Sequence, residues 1–225
     1  MNTLLLKVRK SARTAMAAPA LAACVAGAIL SPAALAAQAN QVVANQPEEV
    51  DRAVSALRAI STLRADFTQT DRNGQRLDGV LTLKRPGKIR FQYQKGVPLL
   101  IVSDGAALTM IDYQVRQVQR WPIRNSPLGA LLDPGKDVAK YARLLPTSHP
   151  DVVSLEIKDP RHPEYGTITM ILIRKASAPG GLQLDSWVAL DSQNQRTTIR
   201  LTNQQYGIDV PENTFRWNDP RPTRR

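Results

Sequence analysis

Residues 77–132 constrain the fold more than any other part of the chain. They read LDGVLTLKRPGKIRFQY, then PLLIVSDGAALTMID, then VRQVQRWPIRNSPLGALL. Apolar residues recur at every second position, the period of a half-buried strand and not of a helix. Pro86-Gly87 and Asp104-Gly105 interrupt the alternation as turn signals, so neighbouring strands read as hairpins. Hairpins in series make an antiparallel meander. Its apolar face needs a cover, which helices elsewhere in the chain can supply.

Pro47 opens a helical segment, PEEVDRAVSALRAISTL. Proline suits a first turn, and Glu48 and Glu49 complement the positive end of the helix dipole. Val50, Ala53, Val54, Leu57 and Ile60 recur at helical spacing and form one apolar stripe. From Arg64 the period changes to two. After the meander, Ser126-Pro127 opens a short helix over LGALLD, and DVAKYARLL is expected to form a second, stopped by Pro146. Strand patterns resume in VVSLEIKD, GTITMILIRK, LQLDSWVALD and RTTIRLTN. The Pro-rich tail IDVPENTFRWNDPRP is expected to be extended. The expected class is α+β, a large antiparallel sheet with one long and two short helices.

The first residues belong to a different kind of segment. Lys7, Arg9, Lys10 and Arg13 precede an apolar run over 20–30, and Ala34-Leu35-Ala36 offers small residues for cleavage. This is the pattern of a secretory signal peptide. A membrane anchor would need ~20 strongly apolar residues, and Pro19 and Pro32 break this run. The expected organisation is a signal peptide over 1–36, a polar linker over 37–46 and a single domain over 47–225. About 190 residues then remain, enough for one core without metal or disulfide support. Cys24, the only cysteine, ends Leu21-Ala22-Ala23-Cys24, a sequence that would also serve for lipid attachment. Cleavage before Cys24 would give a lipid-anchored protein; cleavage after Ala36 gives a mature chain without cysteine.

Reactive constellations are missing from the sequence. His149 and His162 each precede a proline in a loop pattern, and there is no H-E-x-x-H, G-x-S-x-G or G-x-G-x-x-G. No catalytic residue, metal or cofactor is expected. The formal net charge is +11, and the four leader cations leave +7 for the rest. Phe67, Phe91, Tyr93 and Trp121 lie among basic residues, as stacking platforms for bases do, but such aromatics more often fill a strand core. Export argues further against nucleic acid as a partner.

Gly79, Leu81, Leu83 and Arg85 share one strand face by period two. Arg85 either points with the leucines toward the apolar side or ends its strand in solvent, as Lys84 does. In the first case its guanidinium needs several acceptors, and helix C-termini offer carbonyls that suit its planar fork.

Lys84-Arg85-Pro86 matches a motif of the outer-membrane lipoprotein carrier (LolA) family in place. Ala65-Asp66-Phe67-Thr68-Gln69 resembles that family's first strand. Ile101-Val102-Ser103-Asp104-Gly105 resembles its signature hairpin, and Ser126-Pro127-Leu128 the start of its lid. The likeness runs in order through nearly the whole mature chain. It implies a strongly curved, unclosed antiparallel sheet, a half-barrel with helices covering its concave apolar face. It implies a periplasmic, monomeric carrier that takes lipoprotein acyl chains from an inner-membrane exporter to an outer-membrane receptor or to the outer membrane itself. Arg85 would then be the latch that hydrogen-bonds the lid helices. The cavity wall is expected from Leu81, Leu83, Ile89 and Phe91 by alternation, with Leu100, Val102 and Met110, and with Leu128, Leu131 and Leu132 from the lid. The bulky aromatics that the family carries after the Asp-Gly turn are replaced by Leu108, Thr109, Met110 and Ile111. The rival readings are a relative anchored through Cys24 (an outer-membrane receptor or glycolipid carrier), a lipoprotein-stress sensor and a periplasmic hydrolase.

The leader makes a direct prediction. Intact-mass analysis of the exported protein should find a mature N-terminus near Ala37. A diacylated Cys24 at that terminus would instead establish the anchored form.

Overall fold

The structure, a computed structural model, describes residues 46–123, 129–132 and 137–222. The leader and linker lie outside the described residues. Helix α1, Gln46–Ala59, starts on Glu48 and Glu49 and carries Arg58 in its last turn. Val50, Ala53, Val54, Ala56 and Leu57 form its buried stripe. It stops four residues short of the helix expected from the sequence, because Thr62 and Leu63 enter the sheet, where Leu63 lies opposite Leu83 and Tyr206.

The strands are β1 (Thr62–Thr70), β2 (Arg76–Lys84), β3 (Lys88–Tyr93), β4 (Leu99–Asp104), β5 (Ala107–Asp112) and β6 (Gln117–Pro122), then β7 (Ala142–Leu145), β8 (Val152–Ile157), β9 (Thr167–Arg174), β10 (Leu182–Leu190) and β11 (Arg196–Tyr206). The four-residue helix α2 (Gly129–Leu132) and a 3-10 turn (Val138–Tyr141) lie between β6 and β7. Among the described residues the strands form one antiparallel sheet in the order β6-β5-β4-β3-β2-β1-β11-β10-β9-β8-β7. Two meanders therefore run outward from a common seam between β1 and β11. The chain passes from one outer edge to the other through residues 123–141. DVAKYARLL is not a helix as expected: after the 3-10 turn it becomes strand, with Ala142 opposite Ile157 and Leu145 opposite Ser154. Pairing the open edge of β8 outweighs a weak local helix preference.

The sheet is bent far from flat. β3 and β10 are four places apart in the strand order. At ~4.8 Å per strand a flat sheet would hold them roughly 19 Å apart. The Phe91 and Trp187 rings nevertheless meet edge to face at 6.2 Å. Only a sheet curled about its inner face brings these side chains together, and with β6 and β7 left as separate edges the result is a half-barrel. Phe67 joins the same group, 5.3 Å from both Phe91 and Tyr93. Gly79 makes room for it: a Cβ there would stand 2.7 Å from the Phe67 ring. A β-bulge between Leu184 and Ser186 moves Trp187 onto the inner face, opposite Met170.

The outer face carries a second, smaller core. Leu100, Val102 and Ile111 pack there against Val210 and Phe215 of the segment after β11. That segment is tied down by cations of β2 and β3. Lys84 Nζ donates to the Val210 carbonyl at 2.7 Å, and Arg90 donates to the carbonyls of Thr214 and Arg216. Glu212 pairs with Lys84 at 2.8 Å and with Lys88. The two lysines hold the Glu212 carboxyl at about 2, below its ordinary 4.5. A depressed carboxyl contributes to the fold above its ordinary range, and that contribution fades as pH falls from 4.5 toward 2. Glu212→Gln should therefore speed amide exchange across residues 208–216 relative to wild type at pH 7 and leave β1 unchanged. The difference between the two proteins, compared at equal pH, should vanish toward pH 2.

Candidate functional site

The inner face under α1 and α2 is one continuous apolar surface. Leu81, Leu83, Ile89 and Phe91 lie on it, each no more than 3% exposed, together with Leu132 of α2. Val54, Leu57 and Ile60 belong to the same cluster, as do Leu155, Met170, Leu172, Leu184 and Leu201 of the other meander. Tyr93 has its ring buried here, and its hydroxyl donates to Gln69 Oε1 at 2.7 Å. Burial pushes that phenol up from its ordinary value. In the state described, protein side chains close this surface against solvent.

The remaining expected wall residues divide. Met110 lies opposite Ile101, which packs against the inner cluster, so Met110 shares that face and is half-buried. Leu100 and Val102 do not line it. They stand opposite Gln92 and Arg90, and directly opposed residues share a face, so both point outward under the C-terminal segment. Leu99 and Ile101 take the inner positions instead. Leu131 lies in α2, with its side chain outside the described residues, and Leu128 lies outside them altogether.

Arg85 turns inward, as the period-two pattern allows. Its Nε donates to the Ile60 carbonyl at 2.8 Å and its Nη2 to the Leu57 carbonyl at 2.6 Å. These are carbonyls at the C-terminal end of α1, where the dipole is negative; the Leu57 carbonyl has besides Arg85 a long bond from Ile60 N–H at 3.4 Å. The backbone amide of Arg85 adds a bond to the Ser61 carbonyl at 2.9 Å. Burial, and then the nearby Arg58 charge, lower the Arg85 pKa from its usual value. The adjacent Lys84 points the other way, into the C-terminal segment. One strand end thus grips a helix on the inner face and a strap on the outer face.

The family resemblance implies that this arginine bonds the lid helices. Among the described residues its side chain bonds the end of α1, and the tie to α2 comes two residues later. Gly87 N–H donates to the Leu132 carbonyl at 3.1 Å, the last carbonyl of α2. Gly87 has φ +72°, and a Cβ there would sit 2.8 Å from the Gly105 backbone, so only glycine fits. Its own carbonyl accepts from Ser103 Oγ at 2.6 Å, and that Oγ accepts from Gly105 N–H at 3.1 Å. Ser103 is fully buried. The Pro86-Gly87 turn is therefore a node joining α1, α2 and the β4–β5 turn.

Sequence reasoning missed Gly87 and Ser103 as parts of this node, although both lie within the quoted motifs. It also missed Trp187, because the bulge in β10 reverses the alternation that would have exposed it. Among the described residues no group of His, Cys, Asp or Glu is arranged to hold a metal, and no helix is long and apolar enough to cross a membrane.

Comparison with known proteins gives the family. The family model for the outer membrane lipoprotein carrier protein LolA matches residues 58–218. An outer-membrane lipoprotein carrier protein of Dechloromonas aromatica is 28% identical over 180 residues, 76% of this chain and 84% of the relative. That of Pseudomonas putida is 27% identical over 184 residues, 77% and 84% of the two chains. Among solved structures, a LolA superfamily protein from Nitrosomonas europaea aligns with a TM-score of 0.42 at 10% identity, over 76% of this chain and 98% of that one. The family match spans both meanders, α2 and the Arg85 node, and the chain belongs to the outer membrane lipoprotein carrier protein LolA family.

Proposed function

We propose that this protein is a periplasmic carrier that binds lipoprotein acyl chains on the inner face of its half-barrel and shuttles them from the inner to the outer membrane. The observation that carries the reading is a continuous apolar inner face covered by helices whose C-termini are bonded to one turn, through Arg85 and Gly87. The carrier role of the family supports it. No covalent step is needed. Cargo enters as α1 and α2 lift from Leu81, Leu83, Ile89 and Phe91, and Met110 offers an adaptable border.

Magnitudes indicate how such a cycle runs. Each buried methylene contributes ~0.8 kcal/mol, so one fully buried sixteen-carbon chain contributes on the order of 12 kcal/mol. Two bonds from a charged donor contribute roughly 1.5–3 kcal/mol each. The latch is too weak to expel an acyl chain into water. It is strong enough to bias transfer once an acceptor offers a comparable apolar surface. The donor in this scheme is an inner-membrane exporter, and the acceptor is an outer-membrane receptor or that membrane itself.

Arg85→Leu should fold and accept lipoprotein, since the inner face is untouched, and should fail to pass cargo to an acceptor because the closed state no longer drives release. Arg85→Lys should be impaired less, since a point charge cannot span two carbonyls. A reconstituted transfer assay with purified acceptor measures both steps. Delivery by Arg85→Leu at the wild-type rate would overturn the latch. Failure of wild type to take up lipoprotein, or a fluorescent fatty-acid probe, would overturn carriage itself.

Ser103→Ala removes the bond that orients the Gly87 peptide. It should slow delivery less than Arg85→Leu and leave uptake intact. Uptake and delivery measured on the same preparation separate this from loss of fold.

A further inference from the structure

Far from the latch, the outer face of the central seam holds a groove of about 590 Å³ walled by Arg72, Arg76, Arg196 and Arg200. Thr70 and Thr198 stand opposite each other across the seam between β1 and β11 and line it from within. Its position follows from register. Thr68 opposes Arg200 and Thr70 opposes Arg76, while Phe67, Ile199 and Leu201 on the same strands point inward. The groove lies at the end of β1 and β2 away from the Arg85 node, roughly 26 Å along the strand for eight residues at ~3.3 Å each.

Several surface arginines are paired with carboxylate: Arg52 and Arg174 with Glu49, Arg120 with Asp104, Arg143 with Glu156 and Arg221 with Asp219. Among the described residues, none of the four groove arginines is in an ion pair. The nearest acids are already engaged. The Asp71 carboxylate accepts the amides of Asn73 and Gln75, and Asp78 accepts the Thr68 hydroxyl. One acid, Asp71, lines the groove with them, and four guanidinium groups against one carboxylate leave the concavity strongly cationic, an arrangement matched to phosphate oxygens.

We propose that this groove seats the anionic headgroups of a phospholipid membrane, so that the protein rests on a bilayer through its outer face while its inner face is free to open. A protein partner fits less well. A stable protein interface has an apolar centre, whereas the exposed large apolar residues, Tyr113, Val115 and Trp121, lie on the β5–β6 hairpin and its strands and not at the groove. A single-stranded nucleic acid would want aromatic platforms, and none lines the groove. The opening of the inner face rests on the carrier reading; vesicle binding by the groove does not, since no inner-face residue takes part.

Sedimentation with vesicles of phosphatidylcholine alone, and of phosphatidylcholine mixed with phosphatidylglycerol, tests it on the exported protein. Wild type should bind the mixed vesicles only, and added salt should release it. Each basic residue near such a surface contributes about fivefold, so Arg76→Ala with Arg200→Ala should weaken binding roughly 25-fold. Lys95→Ala with Arg116→Ala removes equal charge elsewhere and should leave binding nearly unchanged. Equal loss in both double variants would reduce the effect to net charge and overturn the groove. Wild type that ignores anionic vesicles would overturn membrane docking and favour an acidic protein. Displacement by inorganic phosphate at matched ionic strength would overturn it too, in favour of a free-anion site.

Discussion

The C-terminal end of α1 presents carbonyls that water would otherwise satisfy, and it presents them over an apolar sheet. Arg85 resolves this local problem, and much of the architecture hangs from it. Its guanidinium reaches the Leu57 and Ile60 carbonyls from the end of β2. The helix end is thereby fixed over the inner face, and α1 is set against β7, β8 and β10. A lysine could supply the charge but not the two-pronged geometry. A leucine would leave polar carbonyls facing an apolar wall, a cost that opening the helix relieves.

Curvature turns this closure into a matter of function. A flat sheet of this width would spread its apolar face too far for α1 and α2 to cover. Bending brings Phe91 and Trp187 into contact across four strand intervals and concentrates the apolar surface into one trough. The trough is closed by side chains that also belong to the fold's own core, so the same residues stabilise the empty protein and would receive a guest. In the proposed cycle one set of apolar contacts is exchanged for another, and small polar terms such as the Arg85 and Gly87 bonds bias the direction.

Much of this was legible before the structure. The alternation in LDGVLTLKR and KIRFQY correctly places Leu81, Leu83, Ile89 and Phe91 on one face, because the short three-residue turn between them fixes Lys84 opposite Lys88 and with it the register. Leu100 and Val102 show where alternation runs out. PLLIVSD is apolar at successive positions, since both its faces are buried, one by the inner core and one by the C-terminal segment. Period alone cannot orient such a strand. Trp187 escaped because one bulge reverses the count, and β7 because the demand of an unpaired sheet edge is invisible locally. Arg85 itself was ambiguous on the residues alone; the family resemblance favoured the inward orientation that it adopts, and among the described residues it is α1 that receives its side chain.

The route between the two meanders has a mechanical meaning. Residues 123–141 leave the sheet at one free edge and re-enter it at the other, with α2 between them. Both ends of this connection are covalently fastened to the two rims of the half-barrel. Between those ends the Leu132 carbonyl accepts from Gly87 N–H, so the path is pinned once more, to the β2–β3 turn of the first meander. The cover of the trough is thus a hem, stitched by the chain to both rims and by a hydrogen bond to the sheet between them.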